Sequence, residues 1–213
     1  CGERKGMQVR LNADVQKVIV ENKTAKGVQL ADGTVITAEI ILSNINSKKL
    51  YTDMIDQNNL SWLAKTGFKS YRYSMATPMI YLCLDDEPPL RDHHTLMTVP
   101  MQQMNDYWFN HYEKGQFPAE QFGILSWTTR SDPSLAPKGH HIIAVTLAPG
   151  PYRLNGTTWD KEKETLKENV IKFLESKYLP GLRKHIVHAD FSTPVDFEKR
   201  LKSPEGAIYA LRQ

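Results

Sequence analysis

Apolar and polar residues alternate in short runs at the start of the chain: residues 7 to 11 (MQVRL), 15 to 20 (VQKVIV), 26 to 30 (KGVQL) and 34 to 42 (TVITAEIIL). A period of two over runs this short predicts strands whose two faces differ. Asp32-Gly33 separates the last two runs, and Asp-Gly between such runs is the strongest short-range hairpin signal. Residues 1 to 45 therefore read as a β-meander. It ends in Ser43-Asn44-Ile45-Asn46-Ser47, where Asn46 or Ser47 can cap a helix with Leu50, Tyr51 and Met54 on its apolar side.

Further along, the spacing predicts a short helix over 59 to 66 closed by Gly67, then a mostly buried strand over 75 to 84. Pro78 inside that strand predicts an edge or a bulge, because proline cannot donate to the ladder. After a turn-rich loop (DDEPPLRDHH) come a strand at 95 to 99, an aromatic helix at 101 to 114 and strands at 121 to 128 and 140 to 147. The last two are joined by SDPSLAPKG, which its two prolines make a fixed connector. From 158 to 178, Leu166, Val170, Phe173, Leu174 and Tyr178 recur on one helical face, with Thr157 and Asp160 placed for a capping box. Thr193-Pro194-Val195-Asp196 is a second helix start, with Phe197 and Leu201 on its buried side. The pattern as a whole is α+β: a largely antiparallel sheet with helices on one face, plus the small meander.

Composition narrows the class without naming an activity. With 40% hydrophobic and 24% charged residues the chain is globular, neither disordered nor fibrous. The balance of 27 basic against 24 acidic side chains is too even for a nucleic-acid partner. Two cysteines, Cys1 and Cys83, make no disulfide framework and have no metal-ligand spacing, which points to a reducing, cytoplasmic setting. No apolar run reaches the ~18 residues of a membrane span, and the first residues lack the layout of a signal peptide.

Motifs for polar chemistry are missing. His93-His94 and His140-His141 invite a metal reading, but adjacent strand residues point to opposite faces, and no metal is expected. His185 and His188, three apart around a strand, are likewise expected on opposite faces. Gly-x-Ser-x-Gly, Gly-x-Gly-x-x-Gly and a phosphate loop are all absent. The carboxylates of 158 to 178 interleave with lysines at i, i+3 and i+4, as on a solvated face. What the middle third does hold is aromatics, among them Tyr81, Tyr107, Trp108 and Trp127. They read either as core or as the wall of a pocket for a long apolar molecule.

Four stretches carry a family resemblance: ADVQKVIVENKTAKGVQLADGTVITAEIILSN, DPSLAPKGHHIIAVTLAPGP, WDKEKETLKENVIKFLESKYLPGLRKHI and STPVDFEKRLKSPEGAIYAL. In this order they resemble the middle portion of phytoene desaturase-like flavoproteins, the carotenoid desaturases and retinol saturases within the FAD-dependent amine oxidase superfamily. The hairpin is shared widely among flavoproteins; Asp132-Pro133-Ser134-Leu135-Ala136-Pro137-x-Gly139 and Thr193-Pro194-x-Asp196-Phe197 are more specific. The resemblance implies a parent enzyme that uses FAD to desaturate or saturate C–C bonds of a polyisoprenoid by hydride transfer. It makes residues 1 to 45 part of the flavin lobe and 46 to 213 the substrate-binding lobe. Val15, opening the V-x-x-I-type strand with Val18 at the isoleucine position, is implied to touch the adenine end of FAD through its backbone.

By the same resemblance the chain starts after the glycine fingerprint and stops before the glycine-rich segment that completes the flavin site, so FAD retention by these residues alone is not expected. Tyr81, Tyr107, Trp108 and Trp127 are the candidate substrate contacts. Strands 75 to 84, 121 to 128 and 140 to 147 are the expected pocket floor, with helix 101 to 114 as wall or entrance. An apolar substrate implies peripheral contact with a membrane. The rival reading is a free-standing module for a hydrophobic ligand or a protein partner, without redox chemistry. The DPSLAP match weighs against an amine or protoporphyrinogen oxidase relative.

Overall fold

A computed structural model describes residues 3–209, which divide into two compact units, 3–72 and 73–209. In the first, β1 (Val15–Glu21), β2 (Thr24–Leu30) and β3 (Val35–Thr37) form an antiparallel sheet in sequence order. Asn22 and Lys23 join β1 to β2, both with positive φ, as a two-residue hairpin of matching twist requires. Asp32-Gly33 joins β2 to β3: the Thr34 amide donates to Asp32 Oδ1 at 2.9 Å, and Gly33 takes φ +86°.

One expected strand does not form and another is cut short. Residues 7–11 are irregular, and the third strand stops at Thr37 although its apolar run continues to Leu42. Gly27 pairs with Thr37 and Val28 with Ile36, the Ala38 amide makes one more bond to the Lys26 carbonyl at 3.0 Å, and the chain leaves the ladder there. Ile40 and Leu42 are consequently 78% and 93% exposed.

Asn46 caps the helix that follows, accepting from the Lys49 amide at 3.3 Å. This helix, α1 (Ser47–Lys49), passes into a π-helical turn, Leu50–Met54. Met54 is buried, and Ile55 makes a parallel bridge with Val18. Next comes α2 (Trp62–Ser70), capped by the Ser61 hydroxyl and holding Phe68 stacked on Tyr51 at 4.2 Å. Gly67 lies inside α2 instead of ending it, because it keeps a negative φ and the ladder runs on to Tyr71.

The second unit is built on a five-stranded antiparallel sheet. In chain order its elements are β4 (Met79–Leu84), β5 (His94–Met97), α3 (Met101–Asp106), β6 (Gly123–Trp127), α4 (Thr128–Ser131), β7 (His141–Thr146), α5 (Trp159–Lys177), β8 (Ile186–Ser192) and α6 (Pro194–Leu201). The strand order is β5-β6-β7-β4-β8. Thus β4 lies inside the sheet, whereas Pro78 predicts an edge or a bulge. Pro78 precedes the first strand residue, so its missing N–H costs the ladder nothing, while its carbonyl accepts from the Leu147 amide at 3.0 Å.

One face of this sheet is packed. Ile80, Leu82, Leu84, Leu125, Ile143, Val145 and Phe191 form one buried cluster with Val170, Ile171 and Leu174 of α5. Trp159 anchors the start of α5, its indole N–H donating to the carbonyls of Pro151 and Tyr152 at 3.0 and 3.2 Å. The α5 cap is Thr158, one residue later than expected, and the Thr157 hydroxyl instead donates to Glu162. At α6 the Thr193–Asp196 capping box is complete. Its buried side is set by Pro194 and Val195; Leu201, expected inside, is 63% exposed because the helix ends there.

Candidate functional site: the open face of the five-stranded sheet

Register decides which side chains share the second face. Leu96, Ile124, Thr146, Met79 and Ser192 make one row across all five strands, and His94, Ser126, Ala144, Tyr81 and Asp190 make the next. Ile142, Cys83 and His188 begin a third. At about 4.8 Å per strand each full row is roughly 19 Å long. None of these side chains is buried: Leu96 and Ile124 are 65% and 39% exposed, and Met79, Tyr81, Cys83, Ile142 and Ala144 are half-buried. The surface is mixed: Leu96, Ile124, Met79, Tyr81, Ala144, Ile142 and Cys83 are its apolar members, Thr146 and Ser126 interrupt them, and Ser192, Asp190, His188 and His94 stand on the two edge strands. Such a strip can align an elongated apolar molecule without ionising it.

The four aromatic candidates are distributed over different surfaces of this unit. Tyr81 stands on the open face, its hydroxyl donating to Met79 Sδ at 3.3 Å. Trp127, the register partner of Ile143, is on the packed face. There it is 3% exposed, with its indole N–H on Thr129 Oγ1 at 3.1 Å and the Arg130 guanidinium 5.0 Å from its ring. Tyr107 opens a π-helical turn, Tyr107–His111, that continues α3. Its hydroxyl donates to the Pro149 carbonyl, and burial pushes the phenol far above its ordinary range. Trp108 is half-buried against Tyr112, 4.7 Å between ring centres. Tyr107 also borders a groove of roughly 360 Å³ with Val99, Gln103, Asp106, His111 and Phe122. Strands β6, β7 and β4, expected to make the floor of a pocket, are consecutive in the sheet.

The DPSLAP segment shapes one end of this sheet. Asp132 Oδ1 accepts from the Ser134 amide at 3.0 Å and from its hydroxyl, closing a tight turn over Pro133–Leu135. Just before it, Thr129 Oγ1 accepts from the Ile142 amide at 3.1 Å and so fixes the start of β7. His93 and His94 depart from expectation. His93 precedes β5, so strand alternation does not separate the pair, and their rings meet edge to face at 4.2 Å. Each ring is held at Nδ1 by a serine hydroxyl, His93 by Ser131 at 2.7 Å and His94 by Ser126 at 2.9 Å. Sequence reasoning weighed these histidines only as metal ligands and missed both serine contacts, for which the signal available was a histidine beginning a strand opposite a serine. Among the described residues no three His, Cys, Asp or Glu side chains converge as metal ligands.

Val15 belongs to the other unit. It opens β1, which is an edge strand, with the Asp14 carbonyl accepting from Ala31 at 2.9 Å. An edge strand turns half of its peptide groups away from its neighbour, which fits a backbone contact to a flat ligand.

The chain's fold is shared with part of an oxidoreductase of known structure. The enzyme from Methanosarcina mazei superposes with a TM-score of 0.53 over 89% of this chain and 39% of its own, at 16% identity, a likeness of fold. In sequence the chain is 28% identical over 213 residues to the phytoene desaturase (lycopene-forming) of a Paracoccus species, covering 98% of this chain and 41% of that protein. It is 29% identical over 213 residues to the chloroplastic prolycopene isomerase of Daucus carota, covering 98% of this chain and 33% of that one. The chain thus resembles phytoene desaturase-like proteins throughout its length while spanning less than half the length of these relatives. No family model matches it.

Proposed function

We propose that this chain supplies the substrate-facing lobe of an FAD-dependent oxidoreductase that removes or adds hydrogen at C–C bonds of a polyisoprenoid. The observation that carries the reading is the open sheet face: a row of exposed and half-buried side chains, with apolar members on four of the five strands, on a sheet whose other side is packed. Desaturating a hydrocarbon asks a protein for alignment and exclusion of water more than for acid and base groups. That demand matches Leu96, Ile124, Met79, Ile142 and Tyr81 as a bed for the chain. Tyr107 and Trp108 form the wall given by helix 101 to 114, and Trp127 stiffens the sheet from behind. Bound FAD supplies the hydride acceptor, and the backbone of Val15 is the contact this chain offers to its adenine end. Residues 1 to 45 belong to the flavin side of the enzyme and 46 to 213 to the substrate side.

A polyene of this kind resides in membranes. Among the described residues no helix is long and apolar enough to cross one. Met101 and Phe109, both 69% exposed on the helix 101 to 114, are proposed to touch the bilayer surface where substrate enters.

The test presents a C40 polyene in detergent micelles to the purified chain and follows amide exchange. Slower exchange in 94–97, 123–127 and 141–146, abolished by Ile124→Asp, is the expected result. Unchanged exchange with saturating polyene, or protection that survives Ile124→Asp, refutes the reading. The same preparation mixed with FAD should pass a sizing column without flavin.

A further inference from the structure

Three side chains on the open face are proton acceptors by type: Asp190 and His188 at the β8 edge and His94 at the β5 edge. Asp190 already accepts the Ser192 hydroxyl at 3.1 Å. Among the described residues none hydrogen-bonds the His188 ring, so nothing orients it. His94 differs from both. Ser126 holds its Nδ1 at 2.9 Å and the His93 ring packs against it, while Nε2 has no partner among the described residues. The next row beside it is Leu96 and Ile124, the most apolar part of the face. An imidazole fixed on one nitrogen, open on the other and bordering an apolar bed is a pre-oriented proton acceptor.

We infer that His94 receives the proton that leaves the substrate when a C–C bond is desaturated, with Ser126 as its positioning residue. The inference rests on the function proposed above. Removing one double bond's worth of hydrogen from CH–CH takes a hydride from one carbon and a proton from its neighbour. The hydride reduces the flavin oxidant. The second carbon's C–H electron pair becomes the new π bond as its proton passes to Nε2, giving an imidazolium. Loss of hydride makes the adjacent C–H acidic, so a base as weak as imidazole is sufficient. In the saturating direction the same nitrogen returns the proton.

The experiment uses the flavin-loaded complete enzyme, mixed anaerobically with a polyene substrate and followed by flavin bleaching, with substrate binding read separately from the polyene absorption band. His94→Gly is expected to slow bleaching by about 100-fold or more while binding shifts by less than about threefold. Added imidazole should restore bleaching in His94→Gly but not in His94→Gln, which fills the space. Ser126→Ala should lose about tenfold and Ser126→Thr recover most of it, because the hydroxyl is what orients the ring. His140→Gln, an exposed loop histidine, serves as the unaffected control. Bleaching in His94→Gly within about threefold of the parent, or a loss that imidazole does not repair, overturns the inference. A parent enzyme that binds no polyene overturns the proposed function itself, an outcome visible before any variant is made.

Discussion

Asp196→Asn tests how the second unit is clamped. Asp196 Oδ2 accepts from the Thr193 amide at 2.9 Å, the Thr193 hydroxyl at 2.8 Å and Lys163 Nζ at 2.8 Å. Lys163 is on α5, so one carboxylate oxygen both closes the capping box of α6 and ties that helix to α5. Loss of a capping interaction costs about 0.5–2 kcal/mol, and a hydrogen bond to a charged group contributes about 1.5–3 kcal/mol. Both side chains of the ion pair are about 30% exposed, at 31% and 29%, so water screens part of the attraction. The asparagine also keeps one acceptor for the cap. Together these place the loss at about 2 kcal/mol at neutral pH.

Burial raises the Asp196 carboxyl, but the Lys163 ammonium and the two Thr193 donors outweigh it and leave the pKa below 3.8. A folded-state pKa lowered in this way stabilises the protein fully above the unfolded value. The contribution is lost as pH falls through the folded one. Urea unfolding followed by circular dichroism should therefore show a gap between parent and Asp196→Asn that is full at pH 7 and shrinks as pH drops below 3.8. An equal midpoint at pH 7, or a gap unchanged down to about pH 3, would refute the assignment.

Leu174→Ala removes a side chain with 0% exposure from the cluster between α5 and the sheet and should cost about 2–5 kcal/mol in the same unfolding assay. Gly123→Ala meets two obstacles at once: φ is +148°, and the new Cβ would fall 2.0 Å from the Thr146 carbonyl oxygen. Since Thr146 pairs with Ile124, the variant should exchange the amides of 123–127 faster and melt at lower temperature, while the helix amides of α5 change little.

Local signals were legible because their causes lie within a few residues. Asp32-Gly33 needs only its own backbone freedom, the capping box only Thr193 and Asp196, and the α5 stripe only helical periodicity. Errors arose where a partner decides. The run from Ile40 to Leu42 has strand-like residues but lies beyond the point where the chain leaves the β2 ladder. Pro78 looked like an edge marker because nothing in the sequence shows that the strand begins one residue later. Tyr81 and Trp127 were equally aromatic in the sequence, yet register turns them to opposite faces of one sheet. The His93–His94 contact depended on where β5 starts, a boundary no pattern sets to one residue.

The stretch from Ile40 to Leu42, exposed at both ends, matters at the bench. Consecutive apolar residues outside the ladder are a template for intermolecular pairing, and Glu39 and Ser43 flank them as gatekeepers. Purified alone, the polypeptide should be stickiest there, so its solubility would be set by a three-residue segment remote in sequence from every group proposed to handle substrate.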